Sequence, residues 1–485
     1  MSQATADDFK HQSDDYLDAH AQAIALLNDN VFYFGELGNQ EYETAGLMTS
    51  LLQAAGFHVT SGISGFPTAF CASAGSGHPI IAIHTEYDSN PDNSQQAGAT
   101  QERPIVPGAP GHCEGHNCNA AVLVAAAIAT WRIMQRHGLQ GTLKVIGAPA
   151  EEQLLSRPYF VRDGLFDDVD LALTPHIGSE FYVGHGLLQS ALISATFRFR
   201  GETAHAGVAP WKGRDALDAV VLMDTGMAQY REHMHPSMNC QRVITHGGDQ
   251  PNVVPRDAAV WWYFRDSTAD GVERLFQQAK RIGEGAALMT NTELSVELHS
   301  AVWPLRGNEA LARLVEQEYN KVGAPHWSEA EHSFAKALQL SAGVTCEGLR
   351  NTVRPVKAAG PQHRSANDAG DVSWRIPMAK MIFPANVPNI DFHHWAAGSA
   401  LATSIAHKGA VAGAKVLARA LLHCFTHKDC IDQIKSSFQN ETAGTPFKSM
   451  LPSGQQPPSQ LNAATMAKWR EQMKTFYLKD KPRFE

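Results

Sequence analysis

The 485-residue sequence predicts an α/β protein: a mixed, mostly parallel sheet flanked by helices, interrupted by an inserted α+β domain. Three observations predict it. The chain is longer than one ordinary hydrophobic core organises, so two domains are the default. Short apolar runs that end in acids or histidine alternate with helical segments, as in a parallel sheet whose site lies at the strand C-termini. Near residue 190 that texture gives way to apolar–polar alternation, the mark of half-exposed strands.

The elements follow in order. Residues 15–56 read as helices, "DYLDAHAQAIALLNDNVFYFGEL" and then "EYETAGLMTSLLQAAGF", the second stopped at Gly56. "PIIAIHTEYDS" is a buried strand running into an acidic loop, and Pro/Gly-rich "ERPIVPGAPG" is loop. "NAAVLVAAAIATWRIMQRHG" is a strong helix that starts just after the motif "GHCEGHNC" and ends at Gly138. "GTLKVIGAPAEEQ" and "DLALTPHIG" are each strand into loop. From "SATFRFRGETAH" through "TELSVELHS" the order is β-α-β-β-α-β, a small antiparallel sheet with helices on one face, inserted at 190–303. The first domain is then discontinuous, 1–189 and 304–485. "AKMIFPANVP" supplies a last core strand and "HKGAVAGAKVLARALLHCF" a closing helix. The tail from about 440, with "PSGQQPPSQ", reads as loose and draped on the surface.

Composition excludes several classes. Apolar residues make up 44% and charged residues 18%, with no run read as long enough to cross a bilayer. The net charge of −9 and the lack of a dense Lys/Arg block argue against a nucleic-acid partner. The polar, acidic start "MSQATADDFKHQSDD" is no secretory signal, and seven scattered cysteines are no disulfide framework, so a reducing cytoplasm is expected.

The chemistry concentrates at four places. "GHCEGHNC" offers Glu114 and His116, two residues apart, so that in an extended loop both side chains face one way and Cys113 faces the other. "APAEEQ" puts Glu151 and Glu152 side by side at a strand end: one carboxylate can hold a metal while the other faces a water. A solvated acid pair at a helix start is the bland alternative. His176 in "LTPHIG" and His393 in "DFHHWAAG" complete the set; a lone histidine is more often a packed core residue, and of His393 and His394 at most one can face a site. Together the four places could hold two divalent ions about 3.5 Å apart.

The motifs "EYDS…SQQAG", "GHCEGHN", "EGAALMT", "GDVSWRIP" and "TSIAHKGA" carry a resemblance to the dinuclear metallopeptidase and amidohydrolase family, from about residue 20 to 425. That family includes aminoacylases, auxin-conjugate hydrolases, carboxypeptidase G-type enzymes and aminobenzoyl-glutamate hydrolases, and the chain resembles the last of these most. The resemblance implies Glu114, His116, Glu152, His176 and His393 as metal ligands and Glu151 as general base. It makes the inserted domain a lid and dimerisation domain whose His205, in "GETAHAGVAP", reaches the site of a second copy, with Asn252, in "QPNVVP", touching substrate. A loop cap and an ordinary turn residue are the bland readings of these two. It further implies two divalent ions per subunit, a homodimer, a possible companion subunit, and cleavage of a small N-acyl amino acid or aryl amide.

One departure stands out. The family usually reads Cys-Gly-His where this chain reads Glu114-Gly115-His116. A carboxylate in the bridging position moves preference from zinc toward manganese; the counter-reading is a damaged second metal site. Asp88 is expected to orient a ligating histidine, His84 to be a strand residue, His112 and Cys118 to pack, and Arg375 to form a surface ion pair. Two other functions stay open: a hydrolytic deaminase acting on an aromatic amine, and a catalytically impaired ligand-binding or partner subunit.

Overall fold

Two sheets organise the chain. The structure, a computed structural model, describes residues 5–358 and 365–485. In the larger sheet, strands His58–Ser61, Phe70–Ser76, Gly141–Gly147, Ile80–Thr85, Leu171–Gly178, Met378–Pro384, Tyr182–Leu187 and Arg306–Gly307 are neighbours in that order, and Lys357–Ala358 pairs with Tyr182–Leu187. From Gly141–Gly147 to Met378–Pro384 the strands run parallel; the pairings outside them on this path are antiparallel. The parallel strands are apolar on both faces because helices or the second domain cover both.

The helices His116–His137 and Ser404–Thr426 cover one face, where Ile81, Ile83, Leu143, Val145, Leu171, Leu173, Met381 and Phe383 meet them. Each fully buried Leu or Ile contributes roughly 1.5–3 kcal/mol. Helix His116–His137 is rich in alanine, which lets it lie close to the sheet, and it ends where Gly138 turns left-handed with φ +63. By length and composition alone it could cross a membrane. Its apolarity has another cause: nearly all of it is buried between sheet and neighbouring helices, as a central core helix must be.

The smaller sheet has strands Glu293–Val302, Ala191–Arg200, Asp257–Asp266 and Asn239–His246 in that order, all antiparallel. Helices Ala216–Tyr230 and Ala269–Thr290 pack on it, begun by Asp215 and Thr268 side chains that accept backbone N–H bonds of the first turn. Strand Asn239–His246 is an edge, exposed over most of its length.

The tail corrects the sequence reading. It is draped over the surface but tied down: Met466, Met473 and Phe484 are buried, and the guanidinium of Arg470 donates to Glu36 Oε1 at 2.5 Å. Arg132 Nη2 donates to the Phe484 carbonyl at 2.6 Å. Low complexity argues against regular structure; it does not argue against docking.

Candidate metal centre

The C-terminal ends of the parallel strands converge on one polar cluster. After strand Gly141–Gly147 the chain makes a sharp elbow: Ala150 and Leu154 are left-handed, φ +59 and +58, around the short turn Glu151–Gln153. Such conformations cost free energy and persist where surrounding contacts impose them. Here buried Glu41 accepts the Ala150 N–H at 2.9 Å and Asp88 Oδ2 accepts the Glu152 N–H at 3.0 Å. Gly115 is left-handed as well, φ +87, and a Cβ there would lie 2.6 Å from Ile177 Cδ1, so only glycine fits.

The reason for Glu114 and His116 facing together is therefore not the expected one. The stretch is not extended; His116 is the first residue of helix His116–His137, and the left-handed Gly115 swings the two side chains to one point. One ligand atom from each of Glu114, His116 and Glu152 lies within 4.8 Å of the others, and the same holds for Glu86, His116 and His176. His176 Nε2 is 3.6 Å from both Glu86 Oε1 and Glu114 Oε1. His393, held at φ +68, reaches in from an exposed loop, its Nε2 2.7 Å from Glu114 Oε2 and 3.2 Å from Glu152 Oε2.

The donor atoms fit divalent cations. His116 Nδ1 faces Asp88 Oδ1 at 3.1 Å and His176 Nδ1 donates to the Ile177 carbonyl at 2.9 Å. Both second nitrogens therefore present lone pairs to the cluster, the arrangement that orients histidine ligands. Those nitrogens, His116 Nε2 and His176 Nε2, and Glu152 Oε1 are buried without a hydrogen-bond partner among the described residues. Burial, reinforced by Glu86, pushes the Glu151 carboxyl well above its usual range; burial and Glu114 push Glu152 up to about 7. So many acids in one dry place call for positive charge.

Some of that charge is built in. Arg157 bridges Glu86 and Asp368, and its Nε donates to His84 Nδ1 at 3.1 Å. Burial, then Arg157, holds His84 well below the ordinary imidazole range, so it accepts that bond as a neutral ring. Asn367 Nδ2 donates to Glu151 Oε1 at 2.6 Å, and its own carbonyl accepts the Ala369 N–H, which fixes the amide's orientation. A cavity of about 700 Å³ opens above, lined by Glu114, Glu151, Glu152, His176 and His393 and by residues of both sheets.

Glu114, His116, Glu151, Glu152, His176 and His393 thus come together. His205 and Asn252 do not join them in this chain: they lie exposed on the smaller domain, beside each other, the Ala206 N–H donating to the Asn252 carbonyl at 3.0 Å and His205 bridging Val253. Cys113 Sγ faces Asn90 Oδ1 at 3.0 Å, His112 Nε2 donates to the Val31 carbonyl, and Cys118 is buried in the helix. Arg375 pairs with Asp167 at 2.9 Å on the surface. Sequence reasoning misses Glu86, Glu41, Arg157 and Asn367. Glu86 does carry a signal, being an acid at a buried strand end two residues before Asp88 in "HTEYDS".

Comparison with known proteins adds four findings. The family model of the peptidase dimerisation domain matches residues 189–287. The chain is 34% identical over 468 residues to one of the component chains of p-aminobenzoyl-glutamate hydrolase from Escherichia coli, covering 90% of this chain and 96% of that one. Its fold is similar to an aminobenzoyl-glutamate utilization protein from Klebsiella pneumoniae, TM-score 0.59 at 18% identity over 85% of this chain and 98% of that one. It is also similar to a dinuclear metal-binding peptidase of the M20 family from Bacillus subtilis, TM-score 0.51 at 18% identity over 82% and 99%.

Proposed function

The chain belongs to the M20 peptidase family and is a hydrolase of amide bonds, and from that premise we propose that it cleaves a small N-acyl amino acid or aryl amide, of the aminobenzoyl-glutamate type, with Glu151 as general base. The observation that carries the reading is the division of labour at the 151–152 elbow. Glu152 turns an unpartnered oxygen into the cluster, while Glu151 is held by Asn367 at the cavity floor.

Glu114, His116, Glu152, His176 and His393 are the residues that would hold two divalent ions, with Glu86 beside them. Such ions, when bound, polarise an amide carbonyl and acidify a water. With a carboxylate where relatives carry a thiolate, the set favours manganese over zinc. Glu151 takes a proton from a water at the cavity floor and later delivers it to the leaving nitrogen. Burial raises its proton affinity, which suits a group that must both accept and return a proton.

The smaller domain joins two copies into a homodimer, and His205 stabilises the oxyanion in the site of the second copy while Asn252 contacts its substrate. Both residues stand outside their own chain's cavity, which supports action across copies. The enzyme works in the cytoplasm. Because the relative in Escherichia coli is one component of a hydrolase with more than one kind of chain, activity is to be measured with and without a companion chain.

The test is turnover of 4-aminobenzoyl-glutamate and a panel of N-acyl amino acids, with Mn2+ or Zn2+ supplied, followed by detection of the free amino acid. Release of ammonia with the amide bond intact would replace this reading with a deaminase.

A further inference from the structure

The sheet places one charged residue where the chemistry above has no use for it. Strand Met378–Pro384 lies inside the large sheet, between Leu171–Gly178 and Tyr182–Leu187. Met378, Ala379, Met381 and Phe383 are buried, as residues of an interior strand should be. Lys380 interrupts the run. A lysine in such a strand needs a carboxylate partner or an opening to water, because its ammonium is costly to desolvate.

The opening is the cavity itself. Lys380 and Ile382 are half-buried and line it. In the parallel pairing Lys380 lies beside Thr174 and Ile382 beside His176. Lys380 therefore rises from the same face of the sheet as His176, one pleat repeat, roughly 7 Å, back along the strand. Its four-carbon stem carries the ammonium toward the metal cluster.

The partner is missing. Two other cations of the cavity wall are engaged: Arg354 pairs with Glu180 and lies 4.9 Å from the centre of the Tyr182 ring, and Arg265 Nε donates to Gln241 Oε1 at 3.2 Å. Lys380 makes no hydrogen bond or ion pair among the described residues. None of the acids of the cluster bonds to it: Glu86 pairs with Arg157, Glu114 and Glu152 with His393, and Glu151 accepts from Asn367. A half-buried cation with no bonded partner, facing the cavity beside the reacting centre, is the complement of a bound anion.

We propose that Lys380 forms an anion subsite that takes a carboxylate of the substrate, so that the protein selects amides bearing an acid at that position over their neutral counterparts. The proposal rests on the amidohydrolase reading for its substrate class but not for its anion.

The experiment uses 4-aminobenzoyl-glutamate and its three carboxamide forms: α-amidated, side-chain amidated and doubly amidated. The kcat/KM ratio of acid to amide is measured at each position within wild type, Lys380→Met and Lys380→Arg; a ratio within one variant is unaffected by loss of folded protein. The expectation is that wild type prefers the free acid at one position by roughly tenfold or more, that Lys380→Met brings that ratio to within about threefold of unity, and that Lys380→Arg keeps part of it. No acid preference in wild type, or a preference that survives Lys380→Met, overturns the proposal. Should wild type cleave none of the four, the amidohydrolase reading fails separately, and calorimetric binding of 4-aminobenzoyl-glutamate decides the subsite. A tenfold weaker Kd in Lys380→Met supports it, and equal binding or none overturns it.

Discussion

The floor of the metal cluster and the outer loops of the smaller domain carry residues of the same chemical types, histidines and acids, and treat them in opposite ways. On the floor, His116 is wholly buried and Asp88 nearly so, each fixed by named partners. On the smaller domain, His205 stands in the open beside Val208, 66% exposed, and Trp211, 78% exposed. These exposed apolar side chains are what the proposed homodimer would cover. The difference teaches that the chain gathers its candidate metal ligands by itself, whereas His205 and Asn252 stand apart from them on an exposed face, where the proposed second copy would have to meet them. The comparison can be broken from either side.

The largest effect is expected on the floor. Glu151→Gln keeps the shape and the Asn367 contact but cannot take a proton, so kcat should fall roughly 10²-fold or more with metal content per chain unchanged. Near-normal kcat would remove Glu151 as base. Glu114→Ala withdraws a carboxylate shared by His176 and His393. It should strip at least one ion per chain and most activity, and full occupancy in that variant would mean the cluster is built without Glu114. Glu114→Cys should move metal preference toward zinc.

The unequal legibility of the two regions has a physical cause. The alternation of apolar strands with helices is a local property of sequence, and so are acids and histidines at strand ends; hence the sheet, the inserted β-α-β-β-α-β unit and the gathering of 114–116, 151–152 and 176 can be read directly. Arg157 cannot, because it looks like an ordinary helical arginine until folding slides it under Glu86 and Asp368. Glu86 is hidden by its neighbour Asp88, and Asn367 by the distance of 216 residues from Glu151. His393 reads as a strand-end residue, yet strand Met378–Pro384 ends well before it, and the left-handed turn that aims it has no reliable sequence mark outside glycine. The docked tail depends on long-range pairs such as Arg470 with Glu36.

A smaller effect tests the other side. His205→Ala should lower kcat by roughly 10²-fold, the scale of losing one oxyanion donor, while metal content stays at the wild-type level, since His205 lies outside its own chain's cavity. Heterodimers of His205→Ala with Glu151→Gln contain one site with both functional groups intact. Activity above that of either parent, after exchange of chains is verified by mass, supports completion across copies. No recovery would assign His205 to its own chain or to no catalytic role.

The smallest expected effect sharpens the comparison within the floor. Cys113 is the neighbour of Glu114 and a residue type that can itself hold a metal, so a shift of one residue in register would make it the ligand. The geometry turns it away: its Sγ faces Asn90 Oδ1 at 3.0 Å in a buried pocket. The electrostatics agree. Burial, then Glu152 and Glu114, push the Cys113 thiol far above its usual range, so it stays protonated at neutral pH, and a protonated thiol is a poor metal ligand. A serine hydroxyl is smaller but can donate to the same Asn90 oxygen. Cys113→Ser should therefore cost about 1 kcal/mol of stability or less, lower Tm by a few degrees at most, and leave both metal content and kcat close to wild type. Loss of an ion from this variant, alongside full occupancy in Glu114→Ala, would move the ligand from Glu114 to Cys113.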